Sequence, residues 1–230
     1  MAKRLLLALA FVACAAATGI ANVPAGGHAS TAAVLDRFLA IDAQPLVSYR
    51  AFRHLTASTR GGKMTASIEA WTSLDLEHGF SYDVTKSEGS SIIQSKVLLR
   101  ALDTEKENAQ SATSKAQSAL TPANYEFLEI SPLTDSTVRI DVRSRRKHVM
   151  LINGHLVVES NSADLVRVEG DLSQRPSFWT RHVHVVREYD RIGGVHVPIS
   201  MKSTADVLIV GNSTFSMDYK YSEINGKPIS

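Results

Sequence analysis

The feature that most restricts this chain is a two-residue alternation of apolar and polar side chains. It begins near residue 47 and, with one interruption, runs to residue 221. Val47, Tyr49 and Ala51 open it. Met64, Ala66, Ile68 and Ala70 alternate with Thr65, Ser67, Glu69 and Trp71, and Phe80, Tyr82 and Val84 repeat the pattern. Later runs are Tyr125 to Ile130, then Val138, Ile140 and Val142, then Val149 to Ile152. Asn153-Gly154 follows as a hairpin signal with a return through Leu156 to Val158, and Asn161-Ser162-Ala163 turns into Leu165 to Glu169. Val183, Val185 and Tyr189, then Val195, Val197, Ile199 and Met201, then Val207 and Ile209, then Phe215, Met217, Tyr219 and Tyr221 complete the series. Gly61-Gly62, Gly193-Gly194 and Gly211-Asn212-Ser213 punctuate it. A period of two places alternate side chains on opposite faces, so these runs are strands with one apolar and one wet face.

The pattern predicts about ten or eleven antiparallel strands joined by tight turns. Strand twist accumulates, so one sheet of that width curls. Its concave apolar face then needs a cover. Two amphipathic helices are available. Val34, Leu35, Phe38, Leu39 and Ile41 have helical spacing, with Ser30 or Thr31 as cap and Pro45 as stop. Ile93, Val97, Leu98, Ala101 and Leu102 share one face of a second helix, with Ser91 and Gln94 as a capping box. Thr104 to Gln117 loses periodicity and reads as a frayed helix end and a mobile loop. The expected class is mainly β (α+β), a strongly curved sheet or incomplete β-barrel with helices over its concave face. Such a shape readily encloses an apolar cavity.

The first 25 residues read as an address rather than as fold. Lys3 and Arg4 precede an apolar run, Leu5 to Ala17, and small residues gather up to Ala25. That is the plan of a secretory signal peptide, with cleavage after Ala21 or Ala25. The run is shorter than the ~20 residues a spanning helix needs. Residues 26–230 then form the folded domain, secreted across an inner membrane into the periplasm. Phe11-Val12-Ala13-Cys14 also resembles a lipobox, which leaves lipid anchoring at Cys14 as an alternative. Cys14 is the single cysteine, so a chain cleaved beyond it has no disulfide and no thiol chemistry. Loss of Lys3 and Arg4 brings the 25 basic residues to 23, equal to the 23 acidic ones. A neutral chain argues against a nucleic-acid partner.

Several phrases carry a family resemblance. They are Leu120-Thr121-Pro122-Ala123-Asn124-Tyr125-Glu126-Phe127, Val168-Glu169-Gly170 leading to Pro176-Ser177-Phe178-Trp179, and Val195 to Pro198 followed by Ser203. Val207, Gly211 and Asp218-Tyr219 continue the pattern. With the element order, they resemble the bacterial outer-membrane lipoprotein-sorting proteins, the LolA/LolB-like half-barrels, in a secreted branch. The resemblance spans about residues 30–225. It implies a cavity that accepts acyl chains of a lipoprotein or another lipid. Those carriers have a cavity arginine, and no motif here identifies its equivalent.

Catalytic signatures are few. There is no Gly-x-Ser-x-Gly elbow, His-Glu-x-x-His or Walker loop. Ser144 and Lys147 stand at Ser-x-x-Lys spacing by chance. His182 and His184 would share a strand face, as some metal ligands do, but no third ligand lies at an obvious spacing, although Glu188 and His196 could approach. The expectation is no enzyme, no metal and no cofactor. Arg143, Arg145, Arg146 and Lys147 form a basic cluster, either a solvated hairpin end or a contact for head groups or an acidic partner surface. Phe178 and Trp179 are either a lip of the cavity or a plug in the core. Ile93, Val97, Leu98 and Leu102 are either a lid, hinged at 104–118, or simple core packing. The resulting expectation is a non-enzymatic carrier or sensor for acyl chains. The alternative is an envelope structural or protein-interaction module with no lipid ligand.

Overall fold

The computed structural model describes residues 31–41, 44–109, 111–208 and 211–229. The expected signal segment and Cys14 lie outside these residues. Helix α1 (Thr31–Ala40) precedes three strands, β1 (Tyr49–Thr59), β2 (Met64–Asp75) and β3 (Gly79–Gly89). Helix α2 follows as one run in three segments: Ser91–Ile93, a π-helical turn at Gln94–Leu98, and Leu99–Ala109. Helix α3 (Ala112–Ser118) comes next. The remaining strands are β4 (Tyr125–Pro132), β5 (Thr137–Ser144), β6 (Ile152–Glu159), β7 (Leu165–Leu172), β8 (Thr180–Ile192), β9 (Val195–Val207), β10 (Gly211–Ile224) and β11 (Lys227–Pro228).

All eleven strands form one antiparallel sheet in the order β3-β2-β1-β10-β9-β8-β7-β6-β5-β4, with β11 beside β10. The edges β3 and β4 do not pair among the described residues, so the barrel is incomplete. The alternation read from the sequence is the burial pattern found over most of β1, β2, β8 and β9, whereas β4 and β6 do not alternate. In β1, Tyr49, Ala51, Arg53, Leu55 and Ala57 are buried and face inward. The outward residues are partly or fully exposed, and Thr56–Ser216 and Ser58–Thr214 pair their hydroxyls across strands at 2.7 and 2.8 Å. Irregularities at Arg50/Ala51, Glu69/Ala70, Thr180/His182 and Glu188/Tyr189 add local bend and twist.

Two apolar cores line the inner face. The first joins β1–β3 and β8–β10 to α2, with Leu55, Ile68, Leu98, Leu102 and Met217 at its centre. The second joins β4–β7 to α1 through Val34, Phe38, Ile140, Leu151 and Leu156. Arg37 of α1 donates to the carbonyls of Ser160 and Asn161 at 2.5 and 3.0 Å and so ties that helix to the β6–β7 turn.

Several local expectations are corrected. Asn153-Gly154 is not a turn; both residues lie inside β6. Gly154 is needed there for close approach, because a Cβ would lie 2.1 Å from the carbonyl oxygen of Glu169 and 2.5 Å from the Cα of Gly170. Gly193-Gly194 does make the two-residue turn, with φ of 60° and 85° at its two positions, as the favoured hairpin turn requires. The Thr104–Gln117 stretch is mostly helix rather than loop. Ser91 does not cap α2; Ser90 is the N-cap and makes no side-chain cap bond.

Two predictions follow from this architecture. Gly154→Ala should destabilise by about 1–3 kcal/mol through forced separation of β6 and β7; an unchanged urea midpoint would contradict the close approach. The second concerns pH. His196 is 8% exposed, and burial, reinforced by Arg191, pulls its imidazole below the ordinary range against the opposing pull of Asp164. The unfolded chain, with a pKa of about 6.5, therefore binds the proton that the folded chain refuses. Stability from this site is full above about pH 6.5 and falls as the pH drops below it. His196→Gln should flatten the decline of the urea midpoint between about pH 7.5 and 5.5; an identical slope would contradict the assignment.

Candidate functional site

Helix α2 lies over the concave face of β1–β3. Its apolar stripe is Ile93, Leu98, Ala101 and Leu102, all buried, with Val97 half-buried against the same core. Leu98, Leu102 and Glu105 recur at i, i+4 and i+7, so Glu105 falls on the apolar stripe. On the sheet below, Arg53 occupies an inward position between Ala51 and Leu55. The two meet inside the core at 1% and 4% exposure. Arg53 Nη1 donates to Glu105 Oε2, and Nη2 donates to Glu105 Oε1 at 2.8 Å. Tyr49 completes a triangle: its hydroxyl accepts from Arg53 Nη2 at 2.5 Å and donates to Glu105 Oε1 at 3.1 Å. The guanidinium also stands 4.5 Å over the Tyr219 ring and 5.4 Å from that of Phe80.

The electrostatics follow from that geometry. Burial by itself pulls the Arg53 pKa down, but Glu105 and then Tyr49 outweigh it, and the guanidinium is held more firmly protonated than usual. Burial pushes the Tyr49 phenol well up and the Tyr219 phenol up to about 12. Both phenols are therefore neutral hydrogen-bonding groups at any physiological pH. A second arginine, Arg187, is buried on β8 at an inward position between Val185 and Tyr189, with Nη2 3.3 Å from Met201 Sδ. None of Arg53, Glu105 or Arg187 was singled out in the sequence reading. The signal was there: each is a charged residue standing on the apolar phase of its element.

Among the described residues, α2 packs its apolar stripe onto the inner face of β1–β3. An open pocket of 320 Å³ lies elsewhere, where β1–β3 and β10 meet, lined by Thr56, Ser58, Thr65, Ser67, Glu88 and Thr214. Its hydroxyls and carboxylate do not suit an acyl chain.

Antiparallel register brings the other sequence candidates to one rim. Pairings Thr180↔Val207, Ile152↔Leu172 and Ala66↔Gly89 place the start of β8, the end of β9, the 145–151 loop and the start of α2 at the same end of the sheet. Phe178 is 81% exposed and packs edge-to-face on Trp179, with ring centroids 5.4 Å apart. They are not a core plug. Leu208, also exposed, bonds its amide to the Trp179 carbonyl at 2.9 Å. The basic cluster at this rim serves local structure first. Arg143 grips the Glu126 carboxylate at 2.6 and 2.9 Å. Arg145 Nε donates to the Pro122 carbonyl at 2.7 Å, and Arg146 donates to Asn124 Oδ1 at 2.6 Å. Lys147 is exposed.

His182 and His184 lie on the outer face, as the spacing predicts. Their neighbour is not Glu188, which accepts from Ser200 at 2.9 Å, or His196, which faces Asp164 at 3.4 Å. It is Asp171 of β7, 3.0 Å from His182 Nε2 and 2.8 Å from His184 Nδ1.

No protein-family model matches the sequence. No curated protein matches it either. Among solved structures, the chain is similar to a LolA superfamily protein from Nitrosomonas europaea, with a TM-score of 0.40 and 10% identity over 83% of this chain and 91% of that one. Among the described residues, no helix is long and apolar enough to cross a membrane.

The buried pair makes a direct prediction. Arg53→Met alone leaves the Glu105 carboxylate buried without its partner and should cost about 3–5 kcal/mol. Arg53→Met with Glu105→Leu removes both charges and should recover most of that loss. Additive destabilisation in the double variant would contradict the pairing.

Proposed function

We propose that this protein is a non-enzymatic carrier or sensor in which α2 is a lid, and an acyl chain occupies the concave face when the lid lifts. The observation that carries the reading is the Arg53–Glu105 pair at the closure. A buried ion pair adds little net stability over apolar side chains of similar size. It does give one defined docking position, and it parts cleanly once water reaches it. The surface beneath it, lined by Leu55, Ile68, Phe80 and Met217, would bind an acyl chain by burial at ~25 cal/mol per Å². Ile93, Val97, Leu98 and Leu102 would form the lid side of the site. Phe178, Trp179 and Leu208 would be the apolar threshold at the rim, with Lys147 and the arginines beside it within reach of head groups. The setting proposed is the periplasm, after cleavage of the leader.

A second reading is favoured by a specific observation: the apolar stripe of α2 is already buried on the first core of the concave face. On that reading the protein is a ligand-free interaction module, and the exposed Phe178–Trp179 pair is its contact surface.

One experiment separates the two. The protein is purified without detergent, incubated with phospholipid or a diacylated lipopeptide, and weighed by native mass spectrometry. The carrier reading predicts an adduct of one lipid per chain, with greater loading in Glu105→Gln. Unloaded protein in both the parent and Glu105→Gln, each with a folded circular-dichroism spectrum, would overturn it in favour of the interaction module.

A further inference from the structure

The outer face of the sheet carries a cluster that the carrier reading does not use. We propose that Asp171, His182 and His184 bind a divalent transition-metal ion, with zinc as the best match to their donors. Imidazole and carboxylate are the ligands such ions take when no thiolate is present.

The strands build this site by register. His182 and His184 are two apart on β8 and so share a face. Asp171 is the cross-strand partner of His184. One ligand atom from each of Asp171, His182 and His184 lies within 4.8 Å of the other two. Ligand atoms of a tetrahedral zinc stand ~3.3 Å apart at the usual bond lengths.

An outer layer supports the same assignment. If His184 ligates through Nδ1, its other nitrogen must donate elsewhere. Nε2 stands 3.4 Å from Glu169 Oε1. Glu169 is itself held by Arg167 Nη2 at 2.8 Å and is approached by His155 at 3.8 Å. A carboxylate behind a ligating imidazole fixes its tautomer and raises its basicity. His78–Asp75, another exposed pair with its atoms 3.2 Å apart, has no part in the cluster.

Three protein donors leave one position of a tetrahedral ion for water or for a donor atom from a partner. Bound there, the ion cross-links the end of β7 to the start of β8. The chain between these two points, residues 173–179, carries Phe178 and Trp179. Metal binding would therefore brace the base of the exposed aromatic rim.

The test uses untagged protein and zinc chloride at pH 7.5, read by isothermal titration calorimetry. One ion per chain is expected. His184→Ala and Asp171→Asn should each abolish binding, while Glu169→Gln should weaken it about 10- to 100-fold. His78→Ala should leave it unchanged. A silent titration, or affinity untouched by His184→Ala, would overturn the proposal. A second readout needs no substitution: zinc should shift the imidazole 15N resonances of His182 and His184 and spare those of His54 and His78. Uniform broadening of all histidines would mark adventitious surface binding and also overturn it. Neither readout depends on lipid loading, so failure here leaves the carrier reading standing, and the converse holds.

Discussion

The arrangement depends on one buried contact, the bidentate grip of Arg53 on Glu105 beneath α2. An eleven-stranded sheet with open edges β3 and β4 has an apolar inner face too wide to leave wet. Helices α1 and α2 cover it, one over each core. Apolar contacts alone do not fix where a helix sits, because a leucine stripe can slide by a turn at modest cost. A carboxylate in the core has one low-energy position: on the guanidinium, with Tyr49 as the third corner. The pair therefore specifies the register of α2 more than it adds stability.

That closure has consequences for dynamics. Segments that open below the global unfolding free energy are those with few buried apolar contacts and solvent-exposed backbone hydrogen bonds. The sheet has continuous ladders on both sides of β1, whereas α2 touches the sheet on one face only. The π-helical turn at Gln94–Leu98 departs from regular α-helical bonding within the segment that carries Val97 and Leu98, and such turns often occur at functional positions. The structure thus joins a rigid scaffold to a cover with a defined seat. The Asp171–His182–His184 cluster lies on the opposite face of the sheet from α2.

Much of this was legible in sequence. The alternation specified an antiparallel sheet, its width and its curl, and the helical spacing found both covers. What failed did so for identifiable reasons. Asn153-Gly154 has the chemistry of a turn, but Gly154 serves the close approach to Gly170, and that need is visible only once β6 and β7 are paired. Thr104 to Gln117 lost its apolar rhythm because, among its described residues, only Glu105 is buried and the others are partly or fully exposed, and such a helix needs no apolar stripe. Arg53, Glu105 and Arg187 were passed over because charge reads as surface, although each stands on the buried phase of its element. Asp171 could not be matched to His182 and His184 by counting, since only the register of β7 on β8 sets which residues meet.

On the proposed carrier reading, α2 is held at one seat and lifts while the sheet stays folded. Native-state hydrogen exchange with mass spectrometry tests it most directly. Amides of Leu99–Ala109 should exchange through an opening smaller than global unfolding, well before those of β1 and β10, and Glu105→Gln should speed exchange in α2 while leaving β10 unchanged. If α2 and the central strands exchange together, at one rate and with one denaturant dependence, the helix is a fixed part of the core and the account is wrong.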